Sequence, residues 1–347
     1  MSRHDHRVVL ALILLSLAFV AGCRPASESA LPASGRCDST TEKQRVLLVQ
    51  SYHTGYEWVD SITRGVRMAL PLSEVNLEVF YMDTKRHPDE EWKQKAGAEA
   101  RCIVSDWKPA VVIAADDNAQ AYFAKQYVGD ERVPIVFCGV NNELEDYGYP
   151  AKNVTGIMER PHFKQSLDYV RRILPSASRI AIVTDDSETS RGALNYMKEV
   201  PEGMRLVSQK TPSTMDEWKA AIQECQTQAD VIAVYTYHTL KNREQSTSVP
   251  ASEVMEWTLK NSTVPLIGSL VLTMDDGALC GYAESGVEQG REAGKMARRI
   301  LQGERPADIP ILVSKEGQSI VNLKTARRLG IVVPDDVIQT TDLVIHE

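Results

Sequence analysis

The stretch Val46–Gly65, VLLVQSYHTGYEWVDSITRG, reads as a strand running without a spacer into an amphipathic helix. Val46, Leu47, Leu48 and Val49 give the unbroken apolar run of a strand covered on both faces. Trp58, Ile62, Val66 and Ala69 then recur on one helical face. The alternation continues downstream: RVLLVQ, NLEVFYMD, AVVIAADD, PIVFCGV, NVTGIM, RIAIVTDD, MRLVSQ, DVIAVYTY and PLIGSL are strands separated by helical stretches, one carrying Phe163, Leu167, Val170 and Leu174 on a single face. Pro71, Pro109, Pro175 and Pro201 fall where a helical run gives way before a strand, since the residue preceding proline avoids the α region. This pattern predicts an α/β fold whose parallel sheets carry helices on both faces.

With 347 residues, 43% hydrophobic and 25% charged, the chain has the composition of a soluble globular protein of two domains. A formal net charge of −8 without a long basic run argues against nucleic acid as a partner. Arg3 and Arg7 precede an apolar run from Val8 to Val20, too short to cross a bilayer and suited to an export signal. The ending VAGC resembles the lipobox of bacterial lipoproteins, which implies cleavage after residue 22 and acylation of Cys23, hence attachment to a membrane surface. Residues 23–44, rich in Ser, Ala, Pro and Thr, read as a flexible tether.

Four βα units precede NVTGIMER at Asn153 and four or five follow, which predicts two lobes joined by a crossing strand. The first lobe is expected at 45–152 plus about 279–306, the second at 153–278 plus about 307–347. In the helix of the tail, Gly286, Gly290 and Gly294 recur every fourth residue, a spacing that lets the backbone approach a neighbouring helix. The Gly294-Lys295 pair lacks the glycine spacing and following hydroxyl of a phosphate loop.

VPIVFCGVNN at Val133–Asn142, NVTGI at Asn153–Ile157 and EQGREAGKMARRILQGERPADIPI at Glu288–Ile311, in this order of units, resemble the substrate-binding proteins of ABC transporters with the type I periplasmic binding fold. The similarity spans about residues 45–345 and is nearest to the branch that includes aromatic amino-acid binders and binding domains fused to bacterial sensors. It implies two Rossmann-like lobes around a hinge, a monomer, a small-molecule ligand between the lobes and an ABC permease as partner. A ligand-sensing subunit that reports to a membrane kinase is the alternative.

Ligands of open parallel sheets sit beyond the carboxyl ends of the strands. This rule points to Ser51, Tyr52, His53 and Tyr56 after the first strand, whose rings offer flat apolar faces with polar tips. It points likewise to Asp116, Asp117 and Asn118, to Asn141 and Asn142, to Asp185, Ser187 and Ser190, and to Tyr235 and Tyr237 beside His238. One acid of each Asp pair, or the polar residue after it, is expected to cap the following helix; the remaining carboxylates are expected to favour an ammonium group, and the helix amino termini a carboxylate. That combination suits an amino acid or related zwitterion. In TDDSETSRG, where amino-acid binders of this branch resemble Asn-Pro-x-Glu-x-Asn-Ser, the chain keeps Glu188 and Ser190 but has Asp185 and Asp186 in place of Asn-Pro. Strand alternation predicts that Tyr235 and Tyr237 face the same side.

No GxSxG elbow, HExxH or phosphate loop is present, so no enzyme is expected. No Cys or His spacing suggests a metal, and no cofactor is implied. Beside Cys23 the chain holds Cys37, Cys102, Cys138, Cys225 and Cys280; Cys102 with Cys138 is the pair to test first, buried free thiols being the alternative.

Overall fold

The structure, a computed structural model, describes residues 43–242 and 247–346. The expected signal, Cys23, Cys37 and nearly all of the tether lie outside the described residues.

The chain alternates strand and helix from the start: β1 (Gln44–Gln50), α1 (Glu57–Ala69), β2 (Val75–Tyr81), α2 (Glu90–Trp107), β3 (Val111–Ala115), α3 (Asp116–Tyr122), β4 (Ile135–Val140) and β5 (Val154–Met158). There follow α4 (Phe163–Ile173), β6 (Arg179–Val183), α5 (Glu188–Leu194), β7 (Arg205–Lys210), α6 (Met215–Gln228), β8 (Val231–Val234), α7 (Ala251–Asn261) and β9 (Leu266–Gly268). The rest is α8 (Val271–Asp275), β10 (Cys280–Glu284), α9 (Gly286–Leu301), β11 (Leu312–Val313), β12 (Gly317–Asn322), α10 (Leu323–Leu329), α11 (Asp335–Gln339) and β13 (Leu343–Ile345).

These strands form two sheets, ordered β11-β5-β4-β3-β1-β2 and β13-β12-β10-β9-β8-β6-β7. Pairing is parallel throughout the first sheet, as in Val46 opposite Val111. In the second, β12 runs antiparallel to β10. β3 and β4 are buried along their whole length, and each aliphatic side chain so covered contributes at most about 1.5–3 kcal/mol.

Sheet membership departs from the expected division of the chain. β5 pairs with β4 from Val154 opposite Ile135, so the chain leaves the first sheet only after Met158. β10 belongs to the second sheet and β11 to the first. The chain therefore crosses between sheets three times, after β5, between β10 and α9, and between β11 and β12. The crossings brace one another: Arg160 donates its amide to Ser314 Oγ at 3.2 Å, and the Glu288 carboxylate accepts the amides of Lys315 and Glu316.

Although α9 follows a strand of the second sheet, it packs on α1 of the first. The glycine spacing makes this possible. A Cβ on Gly290 would stand 2.0 Å from the Ile62 carbonyl oxygen, and one on Gly65 would stand 2.3 Å from that of Val287. Each helix thus presents bare backbone to the other. Cys102, Cys138, Cys225 and Cys280 are free thiols, so the Cys102–Cys138 pairing is not formed. Cys138 lies on a buried strand and Cys102 is exposed.

Gly290→Ala should lower stability by about 1–3 kcal/mol, the range for overpacking a close contact, read as a lower urea midpoint with unchanged slope. A midpoint equal to that of the natural protein would mean that α1 and α9 part without cost.

Candidate functional site

The carboxyl ends of the two sheets face each other, and each is tied by a buried carboxylate. In the first lobe Asp117 follows β3 and accepts the backbone amides of Asn141 and Asn142 at 3.2 and 3.1 Å, beyond the adjacent β4, together with the Tyr147 hydroxyl at 2.9 Å. In the second lobe Asp185 follows β6 and accepts the amides of His238 and Thr239 at 2.8 and 3.0 Å, beyond the adjacent β8. Its other oxygen takes the hydroxyls of Ser187, Ser190 and Thr236 at 2.7, 2.8 and 2.7 Å. Burial pushes Asp117 up to about 6, against these hydrogen bonds. Burial also opposes ionisation of Asp185, but the Lys85 ammonium and the three hydroxyls outweigh it and hold Asp185 at about 2.

Several expected ligand contacts are thereby committed to the protein itself. Asp117, Asp185, Ser187 and Ser190 are internal braces, and Ser187 also caps α5. Ser51 donates to the Ala115 carbonyl at 2.6 Å and accepts the Ala119 amide at 2.8 Å. Asn142 donates its side-chain amide to Tyr147. Tyr235 donates to Glu159 at 2.9 Å. Tyr237 donates to Asp276 and stacks on His238 at 4.5 Å between ring centroids. Tyr235 and Tyr237 join different clusters of the core rather than one face, because strand pairing ends at Val234 and alternation with it.

Other expected residues do meet at the seam between the lobes. The Tyr52 hydroxyl reaches Thr189 Oγ1 at 2.7 Å across it. Tyr56 stands edge-on to Tyr52 at 5.7 Å and to His238 at 5.1 Å. Asp116, at φ 66° in the left-handed region, accepts the Trp58 indole N–H at 2.8 Å with Oδ1. Its Oδ2, the Asn118 Oδ1, both polar atoms of the Asn141 side chain and the His238 Nε2 are buried with no hydrogen-bond partner among the described residues. Buried polar atoms are rarely left so, and all of these sit at the facing strand ends.

Sequence reading missed Lys85, which lies in the loop after β2 and so meets the same carboxyl-end rule. Its ammonium rests 4.6 Å from the Tyr52 ring centroid and 5.9 Å from that of Tyr56. It has no direct hydrogen-bond or ion-pair partner among the described residues. Burial lowers its pKa, and the charges of Asp185, Asp116 and Glu159 act the other way. The segment from Thr247 to Ser252 was missed as well: Ser248 of the second lobe donates its hydroxyl to the Lys85 carbonyl at 2.6 Å and its amide to that of Arg86 at 3.2 Å. Under this strap lies a cavity of about 650 Å³ lined from both lobes, by His53, Tyr56, Lys85 and His87 on one side and His238 and Ser252 on the other. Burial lowers the pKa of His53.

Glu159, where the chain leaves β5, and Glu284, where it leaves β10, are buried against each other. Burial pushes Glu159 up to about 7, and burial with the Glu159 charge carries Glu284 well above the carboxylate range. Two adjacent buried carboxyls share a proton. Among the described residues no group of three or more His, Cys, Asp or Glu is placed to hold a metal, and no helix is long and apolar enough to cross a membrane.

Two α/β lobes with strand ends facing across a cavity define a class of binding protein. Residues 60–345 match the family model described as ABC transporter substrate binding protein, and the chain belongs to that family. A tyrosine-binding protein of Clostridioides difficile is 25% identical over 234 residues, which cover 65% of this chain and 64% of that relative's length. The same fold occurs in an ABC domain from Streptococcus pneumonia solved in complex with L-Trp, at a TM-score of 0.68 and 18% identity over 87% of this chain and all of that one. It occurs also in a ligand-free, open substrate binding protein with adhesive properties from Clostridium difficile, at a TM-score of 0.63 and 20% identity over 88% of this chain and all of that one. Proteins of this family bind rather than catalyse.

The Glu159–Glu284 pair sets a pH response. Its folded pKa lies above the ordinary 4.5, so the fold favours the protonated pair. That stabilisation is complete below about 4.5 and is lost as pH rises through about 7. The melting temperature should therefore fall as pH rises from about 4.5 to 7, a span in which Asp116 and Asp117, also raised by burial, act the same way, and Glu284→Gln should flatten the decline. Equal slopes in the two proteins would take the pair out of the response.

Proposed function

We propose that the protein is a lipid-anchored solute-binding receptor of an ABC importer. It captures a small organic ligand, an amino acid or related zwitterion, between its lobes by closing about the three crossing segments. The observation that carries the reading is a cavity of about 650 Å³ to which both lobes contribute, with the unpartnered Nε2 of His238 in its wall, at facing strand ends that also bury unpartnered polar atoms of Asp116, Asn118 and Asn141. A ligand that satisfies atoms of both lobes stabilises the closed arrangement over the open one. The tyrosine for which one relative is named and the L-Trp bound in one of the similar structures support the amino-acid class. Cys23 is the proposed site of acylation.

L-tyrosine and L-tryptophan should raise the melting temperature of the soluble body and reduce its radius of gyration in solution scattering. His53→Ala, at a partly exposed position on the cavity wall, should weaken affinity roughly five- to tenfold, the scale of one hydrogen bond, and leave the melting temperature without ligand unchanged. Scattering profiles indifferent to amino acids, sugars and nucleosides alike would defeat the receptor reading.

A further inference from the structure

The cavity wall is one-sided in its chemistry. Lys85 is 2% exposed, lines the cavity and, beyond the Tyr52 and Tyr56 rings, has an ammonium with no hydrogen-bond or ion-pair partner among the described residues. His238 is 8% exposed; its Nδ1 accepts the Tyr237 amide at 3.4 Å, so the ring proton of the neutral imidazole sits on Nε2, the atom without a partner. Burial, with the Lys85 charge, lowers His238 to about 3, which keeps it neutral at pH 7. The amino terminus of α7, a helix of 11 residues, opens on the same cavity. Its first amides, on Ala251 and Ser252, have no acceptor among the described residues, and Pro250 before them offers no side-chain cap. Amides so placed, at the positive end of the helix dipole, receive anions.

Acceptors are scarce by comparison. Asp276 is the one acid in the wall among the described residues, and the Tyr237 hydroxyl donates to it. Asp83 nearby is matched by the Arg86 guanidinium at 2.7 and 3.0 Å. Asp185, the acid held ionised in the seam, is filled by five donors from its own lobe. An ammonium group in the cavity would meet Lys85 and a single carboxylate, Asp276, one oxygen of which already takes the Tyr237 hydroxyl; a carboxylate would meet a buried cation, an imidazole N–H and two helix amides.

We infer that the cavity recognises its ligand through a carboxylate, received by Lys85, His238 Nε2 and the amino terminus of α7, and that an α-amino group on the ligand is dispensable. The ligand class is thus an organic acid with an apolar body, which Tyr56, Val249, Pro250 and Leu272 cover; the amino acid of the receptor reading is one member of it. The assignment rests on that reading, since it places the ligand in the same cavity. The strap fixes the geometry, because the Ser248 hydroxyl bonds the carbonyl of Lys85 itself.

Calorimetric titration of the soluble body with L-tyrosine, 3-(4-hydroxyphenyl)propionate, the primary amides of both, and tyramine separates the possibilities. The two acids should bind within about tenfold of each other, and the amides and tyramine roughly 10- to 100-fold more weakly, the scale of a lost charge-assisted hydrogen bond. Lys85→Met should abolish the preference for acid over amide, and Lys85→Arg should retain it. If a variant fails to fold, the ligand series on the natural protein decides alone. An amide or tyramine that binds as tightly as its acid, or a sugar that binds where the acids do not, overturns the carboxylate assignment and leaves the receptor standing. Failure of every compound to bind or to alter scattering removes both.

Discussion

The ends of parallel strands pose a problem that this protein solves in the same way in each lobe. Where a strand stops, its backbone amides lose their ladder partners while still buried, and an unpaired buried amide costs free energy comparable to a lost hydrogen bond. Asp117, after β3, accepts the amides beyond neighbouring β4; Asp185, after β6, accepts those beyond neighbouring β8. One short acid thus fixes two loops relative to each other. The seam loops that carry Asn141 and His238 hold their positions because these two carboxylates hold theirs.

The fold was legible because its signals are local. Apolar runs, helical faces and proline punctuation mark β1 to β9, and the glycine period of α9 foretold a close helix contact before its partner was known. What the sequence did not disclose depends on pairing at a distance. β5 looks like the start of a new unit because it follows a turn, yet it hydrogen-bonds to β4. Nothing in QSIVN says that β12 runs against β10. At the site, the carboxyl-end rule found the loops but could not apportion their side chains between ligand and protein. Short acids and serines beside strand ends reach their own backbone first, so Asp117, Asp185, Ser187 and Ser190 turned inward. Lys85 met the rule and was passed over as part of a polar run, and the strap at Ser248 gave no local signal at all.

The electrostatics of the seam follow from the same geometry. Asp116, Asp117, Glu159, Asp185 and Glu284 are all buried near the facing strand ends, where so many free charges cannot be sustained away from water. Only Asp185 has enough donors, with the Lys85 ammonium near it, to stay firmly ionised. Asp116, Asp117, Glu159 and Glu284 are pushed toward the neutral acid. Counting acids in the sequence therefore overstates the negative charge of the region.

The meeting of Gly65 with Gly290 also constrains the order in which the molecule can be built. The first lobe needs β1 to β5, but it is unfinished without α9 to cover α1 and without β11 to flank β5. An emerging chain must therefore supply residues up to Val313 before its amino-terminal half can reach its final state. Contacts of such long sequence separation slow folding, because the intervening loop must close before it is rewarded. A half-made chain stays unsettled and open to threading, and the two halves reach their native states almost together.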